Sequence, residues 1–555
     1  MTYGQDSNTQ LPRYDAIIIG AGFSGMYMIH KLRDELGMSV RAFERGDGVG
    51  GTWYWNKYPG ARCDVPSMFY SYSFDDDLEQ EWQWSERYAA QPEILRYAEH
   101  VAERFDLLKD IEFGVLVTDA EYDEAAAAWT ITSESGERAT ARYLICASGP
   151  LSAAQVPRFE GLEEFGGEWY HTGAWPETGV DFAGKRVGVV GTGSSGVQSI
   201  PVIAETASEV VVFQRTATYS VPAQNYPLSD SERDAIKKDY KAIRASGREG
   251  SGSGTPMPPA KAFARELSDE ERQAELDARW AWGGPAFLRA FKDTMTDHEA
   301  NRLTADYVRN KIREIVKDPE TAELLIPPDY PIGAKRLPAD TGYFETFNRD
   351  NVRLVSVREK PIERIARDGI VVAGELYPLD MIVFATGYDA VTGALNNIRI
   401  RNGRGELLKD KWADGPRAYL GIMSAGFPNL FMVVGPSSPS ITTNVIVSIE
   451  QHVEWISDYL AFLRDEGITT VDVDVDAENE WVAHVSDLAD KTLFPEADSW
   501  YMGANIPGKP RVFLAYVAGV GTYKERLDAI AAAGYAGFVH DGQPAHAVED
   551  VVYSE

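Results

Sequence analysis

The sequence predicts an α/β fold that contains two parallel-sheet domains of one design and a helical insertion. Two glycine loops with the spacing Gly-x-Gly-x-x-Gly, at residues 20–25 and 191–196, each follow a short apolar run and precede a helix-forming segment. A second apolar run follows each helix, which gives the order strand, loop, helix, strand. Residues 226–328 differ, because charged amphipathic segments predominate there. The repeated unit is typical of Rossmann-like dinucleotide-binding domains, so we expect two of them.

Composition narrows the class of protein. The 555 residues, of which 44% are hydrophobic and 25% charged, are enough for several folded domains. An excess of 85 acidic over 54 basic residues gives a formal charge of −31, which repels nucleic acid and anionic membranes. Two cysteines are too few for a disulfide framework or a thiolate metal site, and no metal is expected. No apolar run approaches the ~18 residues that span a bilayer, so a cytoplasmic protein is expected.

The first dinucleotide site is predicted within residues 14–44. In its loop, Gly20 makes the tight turn, Gly22 lets the pyrophosphate approach and Gly25 allows helix and strand to pack closely. Glu44 ends the next strand, 19 residues after Gly25, where an acid can bind ribose hydroxyls. A lone glycine pattern also fits a simple tight turn. The complete strand–loop–helix–strand–Glu order favours a dinucleotide.

The second site repeats this design with one informative change. Its loop consists of Gly191, Thr192, Gly193, Ser194, Ser195 and Gly196. The residue 19 positions after Gly196 is Arg215, where the first site has Glu44. An acid repels a ribose 2′-phosphate, whereas arginine pairs with it, and Thr216 adds a hydroxyl donor. The second site is therefore predicted to bind NADPH.

A second glycine turn follows the first site at residues 50–55. It contains Gly51, Thr52 and Trp53, and it resembles the flavin-side segment of flavoprotein monooxygenases. This resemblance implies that FAD occupies the first site.

Residues 165–176 carry the pattern Phe-x-Gly-x-x-x-His-x-x-x-Trp-Pro, with Phe165, Gly167, His171, Trp175 and Pro176 at its fixed positions. It resembles the signature of flavin-dependent (type I, class B) Baeyer–Villiger monooxygenases, and the chain is most similar to their phenylacetone monooxygenase type. Chemistry alone favours His171 as a hydrogen-bonded core histidine over a proton-transfer group. The resemblance implies a hinge role through coupling between domains. If the stretch formed a helical turn, His171 and Trp175 would be i,i+4 partners.

Four further residues gain roles from the resemblance. In an extended segment neighbouring side chains point to opposite faces, so Lys335 and Arg336 could serve the nicotinamide dinucleotide and the flavin respectively. The alternative is a solvated basic pair. The resemblance implies that Arg336 is the catalytic arginine and that Asp64, otherwise a loop-capping residue, supports it beside the cofactor. The resemblance also implies that Trp500, otherwise an exposed structural residue, lies in a loop that closes over the nicotinamide cofactor.

The predicted domain boundaries alternate between the two dinucleotide sites. We expect an FAD-binding domain whose first part is residues 1–148, a linker and first part of the NADP-binding domain at 149–221, a helical insertion at 222–330, a second NADP part at 331–387 and a second FAD part at 388–555. The resemblance implies that the insertion attaches to the NADP domain. Its Gly-Ser-rich run at 250–254 is predicted to be a mobile loop.

The resemblance implies an enzyme that inserts one oxygen atom of O2 beside a ketone carbonyl, giving an ester or lactone through NADPH and a C4a-peroxyflavin. The expected partners are a small-molecule ketone and O2, with no nucleic acid and no membrane, in a monomer or small homo-oligomer. One alternative is a flavin-containing monooxygenase that oxidises nitrogen or sulfur, although Trp175, Pro176 and Arg336 favour ketones. The other is a non-enzymatic nucleotide sensor, which two complete sites make improbable.

Overall fold

The computed structural model describes residues 11–328 and 330–545. The strands are β1 Arg13–Ile19, β2 Val40–Phe43, β3 Ile111–Glu112, β4 Val117–Asp123, β5 Ala128–Ser133, β6 Arg138–Cys146, β7 Glu168–His171, β8 Arg186–Val190, β9 Glu209–Gln214, β10 Val221–Pro222, β11 Ala339–Asp340, β12 Val352–Ser356, β13 Ile362–Ala366, β14 Gly369–Val372, β15 Glu375–Pro378, β16 Met381–Phe384, β17 Arg399–Arg401, β18 Leu430–Met432, β19 Val471–Val473, β20 Phe538–His540 and β21 Gln543–Pro544.

The helices are also numbered in chain order. They are α1 Phe23–His30, α2 Thr52–Trp55, α3 Asp76–Glu81, α4 Gln91–Arg104, α5 Ser194–Thr206, α6 Asp230–Lys238, α7 Tyr240–Gly250, α8 Asp269–Trp282, α9 His298–Ile315, α10 Pro319–Leu325, α11 Tyr343–Thr346, α12 Gly393–Asn396, α13 Leu408–Lys411, α14 Val445–Asp465, α15 Val475–Asp490 and α16 Val520–Ala532.

The first sheet has the strand order β17-β4-β5-β6-β1-β2-β3 and combines chain from both ends of the sequence. β6 changes partner along its length: residues 138–141 pair antiparallel with β5, whereas Leu144–Cys146 pair parallel with β18. β1 lies parallel to both β6 and β2. The carboxyl ends of β1, β2, β6 and β18 therefore meet at one edge, which is where ligands bind in doubly wound sheets.

The second sheet is wholly parallel, in the order β12-β9-β8-β16-β7. β8 precedes the second glycine loop, and α5 follows it. Both sheets therefore have the strand–loop–helix–strand unit, and the predicted α/β class with two Rossmann-like domains is confirmed. Val187, Val189 and Val212 are fully buried in this second core, as expected for strands that are covered on both faces.

The insertion packs on the second sheet, the side that the resemblance implies, and it also contacts the first domain. α8 and α9 pack into the core of the second sheet through Leu276 and Val308. α6 and α7 instead contact the first domain. Lys237 Nζ donates to the Gln80 carbonyl at 2.6 Å, and the buried Arg244 guanidinium pairs with Glu79 at 2.6 Å. The polar insertion thus bridges the two domains.

The Gly-Ser-rich run at 250–254 is packed and does not project into solvent as a mobile loop. Asn444 N–H donates to the Ser253 carbonyl at 2.7 Å, and Val520 N–H donates to the Gly252 carbonyl at 2.9 Å. Small residues allow this approach, since Gly252 lies directly against Gly519. The prediction failed because glycine and serine permit close packing as readily as flexibility.

Within residues 11–328 and 330–545, no helix is both long enough and apolar enough to cross a lipid bilayer.

Candidate active site

A cavity of about 690 Å³ lies at the carboxyl edge of the first sheet. Ten of the predicted site residues line it: Gly20, Gly22, Glu44, Gly51, Thr52, Trp53, Asp64, Ser194, Arg336 and Trp500. The other predicted cofactor residues lie outside its lining: Gly25, Gly191, Thr192, Gly193, Ser195, Gly196, Arg215, Thr216 and Lys335. The structure thus brings the first glycine loop, the second glycine turn and the Arg336–Asp64 pair together.

The first glycine loop has the backbone that a dinucleotide requires. Gly20 has φ +105°, a conformation that side chains with a Cβ rarely adopt. Glu44 is buried, and its carboxylate accepts hydrogen bonds from Ala21 N–H and Gly46 N–H, both at 2.8 Å. Each carboxylate oxygen retains a lone pair, so Glu44 can still accept from ribose hydroxyls.

The second glycine loop reproduces this geometry. Gly191 has φ +106°, within one degree of Gly20, and α5 begins at Ser194 as α1 begins at Phe23. Thr192 Oγ1 donates to the Thr216 carbonyl at 3.0 Å, which ties the loop to the segment after β9. The N-terminus of α5 therefore presents unpaired N–H groups to an anion, as in other dinucleotide sites.

Two cations lie together near this second loop. Arg215 is exposed, and Lys335 is half-buried, with Nζ 4.9 Å from the centre of the Tyr330 ring. Burial and the neighbouring Arg215 charge lower the pKa of Lys335. Within the described part of the chain, neither cation forms a salt bridge, although acidic residues outnumber basic ones. Two unpaired like charges at one place suit a phosphate ligand.

Arg336 and Asp64 form a two-pronged ion pair inside the cavity. Arg336 Nε donates to Asp64 Oδ2 at 2.9 Å, and Nη2 donates to Oδ1 at 2.5 Å. A third bond runs from Nη1 to the Ile441 carbonyl at 2.9 Å. The guanidinium is therefore held in one plane by Asp64 on one side and by the Ile441 carbonyl on another. Bidentate geometry of this kind fixes orientation as well as charge.

The ion pair keeps Arg336 charged although the cavity half-buries its side chain. Although burial favours the neutral form, the Asp64 carboxylate raises the pKa of Arg336 above its ordinary value. Tyr501 lies beside the same guanidinium, and burial raises the pKa of its phenol to about 12, against the opposing effect of Arg336. A permanent cation thus lines the cavity.

The signature stretch lies outside the cavity lining, at the edge of the second sheet. β7 carries residues 168–171 as an edge strand on β16, and no helical turn joins His171 to Trp175. The conditional i,i+4 pairing is therefore not formed. Gly167 lies against the Asp380 backbone, Phe165 packs on the core of the second sheet, and Pro176 accepts from Gly179 N–H.

His171 is a fully hydrogen-bonded buried histidine. Gly173 N–H donates to Nδ1 at 3.0 Å, so Nε2 carries the proton and donates to Thr386 Oγ1 at 3.2 Å. Thr386 in turn donates to the Gln155 carbonyl at 2.7 Å. Burial lowers the pKa of His171. The ring is therefore neutral, and its one N–H group is already used in the bond to Thr386. Through this bond His171 joins the signature stretch to the segment after β16.

We expect His171→Ala to slow reduction of bound FAD by NADPH about 5- to 10-fold, the factor that corresponds to one buried hydrogen bond, while FAD stays bound. Stopped-flow absorbance measures the reduction, and circular dichroism checks the fold. Thr386→Val removes the same bond from its other end and serves as the matched variant. Normal turnover in both variants would contradict the hinge role.

Sequence reasoning did not identify the roles of Ile441 and Gln198 in the site. Ile441 contributes a backbone carbonyl, which no side-chain pattern can reveal. Gln198 on α5 accepts from Tyr58 Oη at 2.8 Å and donates to the Arg62 carbonyl at 2.9 Å, thereby joining the two domains two residues before Asp64. Gln198 could have been found from its spacing. It lies four residues after Ser194 on α5 and therefore shares a helix face with it.

The residues present fit FAD in the first site and NADPH in the second. The first loop leaves room for a backbone-bound pyrophosphate, and Glu44 is positioned for a ribose. The second loop offers a helix N-terminus, and the unpaired Arg215 and Lys335 suit a 2′-phosphate. The acid in one site and the two cations in the other are thus consistent with one dinucleotide in each.

Comparison with known proteins agrees with this geometry. Residues 14–228 match the family described as flavin-binding monooxygenase-like. A Baeyer–Villiger monooxygenase of Pseudooceanicola batsensis is 43% identical over 95% of this chain and 96% of its own. A phenazine N-monooxygenase of Lysobacter antibioticus is 43% identical over 96% and 98%. A solved oxidised steroid monooxygenase bound to NADP is 50% identical, covers 95% of this chain and 99% of its own, and superposes with a TM-score of 0.91.

These relatives match nearly the whole chain on both sides of the comparison, and the fold, the two glycine loops and the signature stretch lie within the matched region. The chain therefore belongs to the flavin-dependent Baeyer–Villiger monooxygenases.

Proposed function

We propose that this protein is an NADPH- and FAD-dependent monooxygenase that inserts one oxygen atom of O2 next to a ketone carbonyl, giving an ester or lactone. The observation that carries the proposal is the Arg336–Asp64 ion pair, which faces the same cavity as the first glycine loop. The names of the Baeyer–Villiger and steroid monooxygenases among its relatives support it.

Bound FAD supplies the redox chemistry that activates oxygen, with electrons from NADPH. Gly20, Gly22 and Glu44 would hold FAD, and the second loop with Arg215 and Lys335 would hold NADPH. Trp500 lines the cavity within a short 3-10 turn and is positioned to exclude water from it. The protein's part is to bind, orient and provide charge.

Arg336 provides that charge where the ketone reacts. Attack on a carbonyl carbon places negative charge on the carbonyl oxygen, and a fixed guanidinium stabilises it, an effect often worth ~3–4 kcal/mol. Asp64 holds the guanidinium in place through two of its N–H groups, and the Ile441 carbonyl holds a third. A guanidinium has five N–H groups, so these three bonds do not use all of them, and Tyr501 also lies against the group.

The runner-up is oxidation of nitrogen or sulfur. The phenazine N-monooxygenase, 43% identical over nearly its whole length, is the observation in its favour. Such a reaction transfers an electrophilic oxygen and creates no oxyanion on a carbonyl. Oxidation of nitrogen or sulfur therefore does not require the fixed positive charge of Arg336. For this reason we prefer ketone oxidation as the proposed function.

A product screen tests the proposal. Purified protein with bound FAD is mixed with NADPH and with linear, cyclic, aromatic and steroidal ketones, and products are identified by gas chromatography–mass spectrometry. The expected result is an ester or lactone from at least one class, with NADPH consumed in proportion. If every ketone is recovered unchanged while phenazines or sulfides are oxidised, the runner-up is correct.

Arg215→Ala is expected to raise the KM for NADPH about 10- to 150-fold, because a charge-assisted bond to phosphate contributes roughly 1.5–3 kcal/mol. The KM for NADH, which lacks the 2′-phosphate, should change little. Steady-state kinetics with both cofactors measures the ratio. Arg358→Ala is a suitable control, since Arg358 also lies near Lys335 but outside the nucleotide loop. Equal losses with both cofactors would refute the 2′-phosphate assignment.

A further inference from the structure

Two left-handed turns face each other beside the cavity. Val434 has φ +58° and Leu420 has φ +57°, a conformation that is uncommon for non-glycine residues and unfavourable for a β-branched one such as valine. The turns contact each other directly, because Gly435 N–H donates to the Gly421 carbonyl at 3.2 Å. Val434 also lines the cavity that we assign to FAD. Something must therefore hold this unfavourable backbone in place.

One buried side-chain pair contacts both turns. Val434 N–H donates to His452 Nδ1 at 3.1 Å, and His452 Nε2 lies 2.7 Å from Tyr523 Oη. Tyr523 Oη in turn donates to the Leu420 carbonyl at 2.5 Å. The two rings stack with centroids 5.5 Å apart and planes 17° apart, and neither residue is exposed. His452 lies on α14 and Tyr523 on α16, so two helices clamp the two turns.

The hydrogen positions in this chain follow from the donors. Because Val434 N–H donates to Nδ1, that nitrogen must be unprotonated, and Nε2 must carry the ring proton and donate to Tyr523. Tyr523 can then give its own proton only to Leu420. Burial lowers the pKa of His452 to about 4, against the opposing effect of the Met432 carbonyl, so the ring is neutral at neutral pH. The pair thus forms one directed chain from Val434 to Leu420.

We propose that His452 and Tyr523 are positioning residues that hold the backbone of Val434 in its left-handed turn and thereby set the wall of the FAD cavity. This inference rests on the proposed function for its assignment of FAD to the cavity. It adds two residues that do not themselves line the cavity and that act on its wall through Val434. His452 acts through its acceptor nitrogen, and Tyr523 acts by keeping the proton on the other nitrogen.

Two substitutions at one position separate these bonds. In His452→Asn, the side-chain oxygen can take the place of Nδ1 and accept from Val434, while the Tyr523 bond is lost. In His452→Gln, the amide nitrogen can take the place of Nε2 and donate to Tyr523, while the Val434 bond is lost. Both variants lose one bond and the same ring, so a general loss of packing affects them alike.

The measurement is the release of FAD from diluted holoenzyme, followed by the fluorescence of free flavin, together with the visible spectrum of the bound flavin. His452→Asn should keep an FAD Kd within about 3-fold of wild type. His452→Gln should raise it about 10-fold, the change expected for one buried hydrogen bond, and should shift the flavin absorption. The FAD Kd of Tyr523→Phe should fall between those of the two His452 variants, because loss of the phenol hydroxyl permits the ring proton of His452 to move to Nδ1.

A second histidine–tyrosine pair, whose tyrosine lies on α14 and whose histidine lies on β20, provides the matched control. Tyr459 Oη lies 2.8 Å from His540 Nε2, and Tyr459 is buried on α14, but it does not line the cavity. Tyr459→Phe should therefore cost similar thermal stability to Tyr523→Phe and leave the FAD Kd and flavin spectrum unchanged.

The outcomes separate the inference from the proposed function. Equal FAD affinities in His452→Asn and His452→Gln, or a Tyr459→Phe effect as large as that of Tyr523→Phe, would overturn this inference alone. A wild-type protein that binds no FAD would overturn both.

Discussion

Replacing Arg336 with alanine is expected to reduce ester formation to a small fraction of its wild-type rate while NADPH still reduces the bound FAD. Hydride transfer needs the two cofactors side by side, and Arg336 lies outside the second glycine loop, where we propose that NADPH binds. In contrast, the negative charge that develops on the carbonyl oxygen loses the positive charge of Arg336, which would stabilise it. Loss of one such stabilising group typically costs ~2.7–4 kcal/mol, or roughly 100- to 1,000-fold in rate.

Stopped-flow absorbance reports the reduction, and product analysis reports the ester, so the two halves are measured separately. NADPH should then be consumed with hydrogen peroxide as the product. Arg336→Lys is the matched variant: it keeps a positive charge but cannot make the two-pronged bond to Asp64, so a partial rate is expected. Ester formation by the alanine variant at near wild-type rate would refute the role of Arg336.

The same substitution in the two glycine loops should remove two different cofactors. At Gly25 an added Cβ would overlap the carbonyl oxygen of Gly20, and at Gly196 it would overlap that of Gly191. Overpacking of this kind costs typically 1–3 kcal/mol, so each affinity should fall roughly 5- to 150-fold. Gly25→Ala is expected to purify with little FAD. Gly196→Ala should keep its FAD and raise the KM for NADPH.

Flavin absorbance of the purified proteins and steady-state kinetics with NADPH measure these losses. Gly250→Ala is the control, because α7 ends there and an added Cβ meets no atom within 4 Å. Its FAD content and KM should equal those of wild type. Loss of FAD in Gly196→Ala with retention in Gly25→Ala would reverse the assignment of the two sites.

Much of the fold could be predicted from local patterns. The two glycine loops lie where the spacing placed them, and the left-handed φ of Gly20 and Gly191 agrees within one degree. This succeeds because the turn depends on a few consecutive residues. The contrast between Glu44 and Arg215 was equally informative, since both occupy the same point of one repeated unit.

Other features depend on contacts between distant segments, which periodicity does not record. The docking of α6 and α7 on the first domain rests on Lys237 and Arg244, whose charges suggest solvent rather than burial. The strand through His171 forms because β16 offers it an edge. The third bond of Arg336 goes to the Ile441 backbone, which any residue could provide.

The most direct test of the central claim is a competition in 18O2. The protein is supplied with NADPH and an equimolar mixture of a ketone that it accepts, a phenazine and a thioether, and the products are analysed by mass spectrometry. Ketone oxygenation through the fixed charge of Arg336 predicts an ester that carries one 18O atom as the main product, lost in Arg336→Ala. An 18O-labelled N-oxide or sulfoxide as the main product, unaffected by that substitution, would contradict the account.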